Sequence, residues 1–219
     1  MKLMDNIVER LGMNAYALGK FDKAERWFRT LEKKEPESLR VLRNLGVILL
    51  ARGDLSGAAG YLEREERLYG ETAQRHRALA DLAYARGNRA EAAERYRKTL
   101  QDMSDGDAAE QDRRFLEARM DICSTSDAFE SAQKSAALFS EGEAARGRGD
   151  ADGALAAFLA AAEADRTNWP ALNNAGVLLL EREDGAARAL ESFRRAAEYA
   201  PLPVIRQNIA LAEAKLPQT

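Results

Sequence analysis

LGMNAYALGKFDKAERWF (residues 11–28), LGVILLARGDLSGAAGYL (45–62) and LADLAYARGNRAEAAERY (79–96) are one phrase written three times, each copy 34 residues after the last. The coincident columns are Leu11-Gly12, Leu45-Gly46 and Leu79-Ala80; Gly19, Gly53 and Gly87; Ala24, Ala58 and Ala92; and the bulky set Phe28, Leu62 and Tyr96. A fixed period of this length decides architecture before any single motif does. Each copy has the same mechanics: an amphipathic helix, a Gly that can take positive φ where the chain turns, and a second helix whose small Ala permits close approach. Each copy therefore predicts a helical hairpin.

These columns resemble the tetratricopeptide repeat, whose pattern places Leu, Gly, Tyr, a turn Gly, Ala, an aromatic, a second Ala and a closing Pro in 34 residues. Repeat 1 spans about 5–38 and closes with Pro36; repeat 2 spans 39–72 with Gly70 in the Pro place; repeat 3 spans 73–106 with Ser104 there. Departures are Ala15, Leu49 and Ala83 in the Tyr column and Leu31, Glu65 and Thr99 in the second Ala column, which alter packing angles and leave the hairpins intact.

The pattern returns with a changed phase. Gly142, Gly149, Ala154, Phe158 and Ala161 fit a repeat of about 135–168, and Ala175, Gly176, Phe193, Ala196 and Pro201 fit one of about 169–203, with one extra residue near Asp184-Gly185. Pro203 starts a final helix to about Lys215 that resembles the family's capping helix. Between the two runs the columns fail, with Arg113-Arg114 in the Leu-Gly place and Asp121 in the turn-Gly place. The reading there is a helix over 107–122, a break at Ser124 to Asp127 with N-cap chemistry, and a long helix from about Ala128 to Arg146. The expected organisation is 1–122 as three hairpins plus a capping helix, 123–134 as the break and start of a long helix, and 135–219 as two hairpins plus a C-terminal capping helix. The fold class is all-α, a right-handed α-solenoid of about five stacked hairpins plus extra capping helices. A continuous superhelix with one odd helix is the alternative.

Composition agrees. Of 219 residues, 46% are apolar, and 36 acidic against 33 basic side chains leave a net charge of −3, so the chain is neither disordered nor a general phosphate-seeker. Nucleic acid is not an expected partner. One Cys cannot form an internal disulfide, and 5 Pro with 15 Gly suit a helical chain. The apolar stretches at 45–51 and 177–180 fall far short of the roughly 20 residues a membrane helix needs, and MKLMDNIVERL lacks the apolar run of a secretory signal. No direct membrane insertion is expected, and the cytoplasm is the expected compartment.

Several chemical-looking features have a plainer structural reading. Arg52-Gly53-Asp54 and Arg148-Gly149-Asp150 mimic adhesion strings, yet both fall where Gly turns the chain and Asp caps the second helix. Gly19-Lys20-Phe21 lacks the first Gly and the hydroxyl of a phosphate loop. His76 has no second His or paired Cys for a metal site, and Cys123 has no activating His, so no catalytic residue, metal ligand or cofactor is assigned. The alternating charges of Glu63 to Arg67 read as a solvated face, and Trp27 and Trp169 as packing aromatics.

The resemblance implies a concave surface lined by the first helix of each pair. Arg10, Arg40, Arg43 and Arg77, with Asp81, bias the front of that groove, and the cations suit an acidic peptide or free carboxylate. Asn44, Asn174 and Asn208, with Asn173 beside them, fall where family members holding extended peptides use an amide to bridge the ligand backbone; the alternative is a bond to neighbouring helix backbone. The co-chaperone carboxylate clamp is not expected, because its places hold Glu9, Met13, Asn44, Gln74 and Ala78 and only Asn44 matches. Arg43→Glu is expected to leave stability nearly intact, as surface substitutions do. The functional expectation is a non-enzymatic adaptor, scaffold or assembly chaperone for another protein or peptide, acidic or extended. The alternative is the repeat portion of a larger enzyme or of a membrane-associated secretion or pilus assembly complex.

Overall fold

The computed structural model describes residues 2–103 and 107–216. Among these, all regular structure is helical. Three hairpins come first: α1 (Lys2–Ala17) with α2 (Phe21–Glu32), α3 (Leu39–Arg52) with α4 (Leu55–Tyr69), and α5 (Ala73–Ala85) with α6 (Arg89–Asp102). Then follow α7 (Asp107–Ser124), the pair α8 (Ser126–Gly147) and α9 (Ala151–Ala164), the pair α10 (Trp169–Leu180) and α11 (Ala186–Tyr199), and α12 (Pro203–Ala214). The chain is thus an all-α helical solenoid. Ser104, expected to stand in the closing-proline place of repeat 3, lies outside the described residues.

The repeat columns are the packing contacts. Phe28, Phe158 and Phe193 are wholly buried, Leu62 nearly so, and each faces the Gly of its own hairpin's first helix. A Cβ at Gly12 would come within 2.7 Å of Phe28, at Gly46 within 2.5 Å of Leu62, at Gly142 within 2.6 Å of Phe158 and at Gly176 within 2.5 Å of Phe193. The Leu-Gly pair is thus one large residue's seat. Repeat 3 has Ala80 instead, and there Tyr96 is buried with its hydroxyl donating to Asp81 Oδ1 at 2.7 Å.

Hairpin turns follow the sequence. Gly53 has φ 86° and Asp54 Oδ1 accepts from Gly57 N at 2.9 Å; Asp150 caps Gly153 in the same way. The adhesion-like strings are turn and cap. The last hairpin solves its turn differently: Gly185 has an ordinary φ of −86°, but a Cβ there would lie 1.8 Å from the Leu179 carbonyl oxygen. Only a residue without a side chain fits that close approach to the Leu179 carbonyl.

Contacts divide the chain into Met1–Asp102 and Met103–Thr219. Within the second unit α7 packs on α8 and α11 through an apolar face that includes Leu116 and Ile122. Arg119 pairs with buried Asp165 at 3.1 Å, and Arg166 donates to Asp121 at 2.6 Å. The surplus helix therefore belongs to this unit and not, as expected, to a first unit of 1–122. The break before α8 is the single residue Thr125, whose hydroxyl accepts from Ala128 N at 3.2 Å, so the long helix starts two residues ahead of its expected start.

Candidate functional site

Predicted groove residues stand on the first helices α1, α3 and α5 of one unit and on α10 and α12 of the other. Successive first helices are bonded to each other through these side chains. Arg40 Nη1 donates to Glu9 Oε2 at 3.0 Å, and Arg43 Nη1 to Gln74 Oε1 at 2.5 Å. In the second unit Asn174 Nδ2 donates to Glu143 Oε1 at 2.9 Å, and Asn208 Nδ2 to Asn173 Oδ1 at 2.9 Å. Each bond spans about one repeat, so the period of the sequence becomes a ladder in space.

The electrostatics differ from a simple positive groove. Arg40 also donates to Glu35 at 3.0 Å; burial works to lower its pKa, but the bonds with Glu35 and Glu9 prevail and raise it. Arg43 is held by Glu65, which accepts from its Nε at 3.0 Å and its Nη2 at 2.9 Å. Two of the four predicted cations are therefore matched by carboxylates. Arg10 is exposed and makes no hydrogen bond or ion pair among the described residues. Tyr16 is half-buried between the predicted residues: burial pushes its phenol pKa up, the Asp81 carboxylate adds to that, and Arg77 opposes it. Asp81 itself accepts the Tyr96 hydroxyl.

Asn44 takes the plainer of its two readings. Its Nδ2 donates to the Arg40 carbonyl at 2.7 Å, one turn back on its own helix. Asn174 and Asn208 instead reach the neighbouring first helix. Beside them the exposed apolar side chains Val177 and Leu211 stand in one repeat column, as Met13 does in the first unit.

Charge alternation misplaces one buried group. Glu65 is 1% exposed, not solvated, and its Oε1 also accepts from Arg75 Nε at 2.9 Å. Arg75, 5% exposed, spends Nη1 on the Tyr69 and Gly70 carbonyls. The signal lies in the column: Leu31, Glu65, Thr99, Ala161 and Ala196 occupy one repeat position, and all are buried. A carboxylate at a buried position needs cations, and Arg43 and Arg75 supply them.

Residues 9–71 match the family model described as the tetratricopeptide repeat. No curated protein matches the chain in sequence. Among solved structures, the chain is similar to YrrB, a TPR protein with an unusual peptide-binding site, at 16% identity over 95% of this chain and 91% of that one, with TM-score 0.43. The TPR2AB domain of yeast Sti1 in its pHSP90 complex is 16% identical over 98% and 84%, with TM-score 0.45. A thermophilic TPR protein of Thermus thermophilus is 21% identical over 96% and 99%, with TM-score 0.40.

Proposed function

We propose that this tetratricopeptide-repeat protein, whose match covers residues 9–71, is a non-catalytic interaction module that holds a segment of a partner protein along its first helices. The observation that carries this is the ladder of bonds between successive first helices, which fixes the face before any partner arrives. A preorganised face loses little entropy on binding. In the second unit Asn173, Asn174 and Asn208 offer amides beside Val177 and Leu211, a mixture suited to an extended backbone with apolar side chains. In the first unit Arg10 is the exposed cation with no ion pair among the described residues, and it suits an acidic side chain or carboxylate end; Arg40, Arg43, Asn44, Arg77 and Asp81 frame it. The role is that of a cytoplasmic adaptor or assembly scaffold.

The test is photo-crosslinking in the source cells. A crosslinking residue replaces Met13, Val177 or Leu211 in one set and the exposed second-helix residues Arg97 or Arg188 in another. Adducts confined to the first set support the reading. Adducts confined to the second set overturn it.

A further inference from the structure

The first helix of every later repeat in the first unit is covered on one edge by the hairpin before it. In α3 the covered side chains are Val41, Leu45 and Ile48, and in α5 Arg75, Leu79 and Leu82, all at most 5% exposed. The same columns of α1 hold Ile7, Leu11 and Asn14. Ile7 is 42% and Leu11 41% exposed, and Met4 extends their row at 67%. Spacings of three and four residues put these on one helix edge. Trp27 of α2 packs beside them, its Cβ 3.3 Å from where a Gly12 Cβ would lie. This edge has the chemistry of a covered surface, not of a solvated one.

Charge specifies what covers it. Every acidic residue of α1 and α2 is paired: Asp5 with Lys34, Glu9 with Arg40, Asp22 and Glu25 with Arg52, and Glu32 with Arg29. Arg10, Lys23 and Arg26 are exposed or half-exposed and have no ion pair among the described residues. Arg10 follows Ile7 by one turn, and Lys23 precedes Trp27 by one turn, so the cations flank the apolar row. Two copies of the chain meeting through this edge would oppose cation to cation, which disfavours self-pairing.

We propose that the outer edge of the first hairpin, formed by Met4, Ile7, Leu11 and Trp27, docks an amphipathic helix of a partner protein whose apolar stripe is flanked by acidic side chains. The docked helix takes the place on α1 that α2 takes on α3. This edge shares only Arg10 with the first-helix face of the proposed function, and variants at Ile7, Leu11, Lys23 and Arg26 test it independently of that face.

The experiment uses the full chain in a Trp169→Phe background, so that Trp27 is the sole tryptophan and its emission reports on this edge. The probes are two designed helical peptides of roughly 18 residues with the same Leu stripe, one flanked by Glu and one by Lys. The expected result is a Trp27 emission shift and binding for the Glu peptide, with the Lys peptide binding at least about tenfold more weakly. Ile7→Ser with Leu11→Ser, and separately Lys23→Glu with Arg26→Glu, each weaken the Glu peptide by about tenfold or more while circular dichroism stays that of the parent, and Val177→Glu leaves it unchanged. Equal binding of both peptides, or binding unaffected by either double variant, overturns the proposal. So does a dimer of the parent chain in sedimentation that Ile7→Ser with Leu11→Ser dissolves, since a second copy would then occupy the edge.

Discussion

Arg75 Nε donates to Glu65 Oε1 at 2.9 Å where the second and third hairpins meet, with both side chains almost sealed from solvent. Breaking a buried pair from one side strands a charge and costs about 3–5 kcal/mol. Glu65→Ala is expected to lower unfolding stability by that amount, as read by urea denaturation. The double change Glu65→Leu with Arg75→Leu is expected to cost less than Glu65→Ala alone, because it strands only Arg43. Arg43→Glu, a silent surface change on the sequence reading, is now expected to destabilise, because it sets a second carboxylate against buried Glu65.

The seat of Leu62 makes a paired prediction about glycine. Gly46→Ala puts a methyl 2.5 Å from Leu62 Cδ2 and is expected to cost about 1–3 kcal/mol. Gly60→Ala, in the middle of α4 with open space around it, is expected to stabilise by about 0.5–1 kcal/mol through helix propensity. Thermal melts of the two variants should move in opposite directions.

Phe28 and Phe158 are each wholly buried in their hairpins. Phe28→Ala and Phe158→Ala are each expected to cost about 3–5 kcal/mol in denaturant unfolding. Melting unchanged from the parent would contradict the packing described for both units.

Acid sensitivity is expected at the start of the chain. Lys34 Nζ donates to Asp5 Oδ1 at 2.6 Å, and that bond, against some burial, holds the Asp5 carboxyl below the usual aspartate range. A depressed carboxylate stabilises the fold above its unfolded pKa, and the contribution disappears as pH falls through the folded value. The stability difference between the parent chain and Lys34→Met should therefore be present at about pH 7 and shrink as pH falls below the ordinary aspartate range. Urea melts across that range measure it.

Much of the fold was legible because the columns that repeat are the residues that touch. Gly12 with Phe28, Gly46 with Leu62 and Gly176 with Phe193 are contacts inside one hairpin, 16 or 17 residues apart, so the phrase itself records them. The assignment of α7 was not legible, because Arg119 and Asp121 meet Asp165 and Arg166 across some 45 residues without any period. Glu65 was hidden by its neighbours: Glu63 to Arg67 alternate in charge as a wet helix face does, while column position alone says that one of them points inward. In the candidate site, the residue types were found but not their pairing. Arg40 and Arg43 read as free cations until Glu9, Glu35 and Glu65 are seen beside them.

Within each unit most packing joins a helix to its sequence neighbours, hairpin after hairpin. Such a chain behaves mechanically as a row of springs in series, because each hairpin answers only to those beside it. Tension applied to a unit's end strips the terminal hairpin before it reaches the next, and on release the hairpins still folded template its return. A partner helix clasped to α1 would therefore act as a brake on the end where stripping starts.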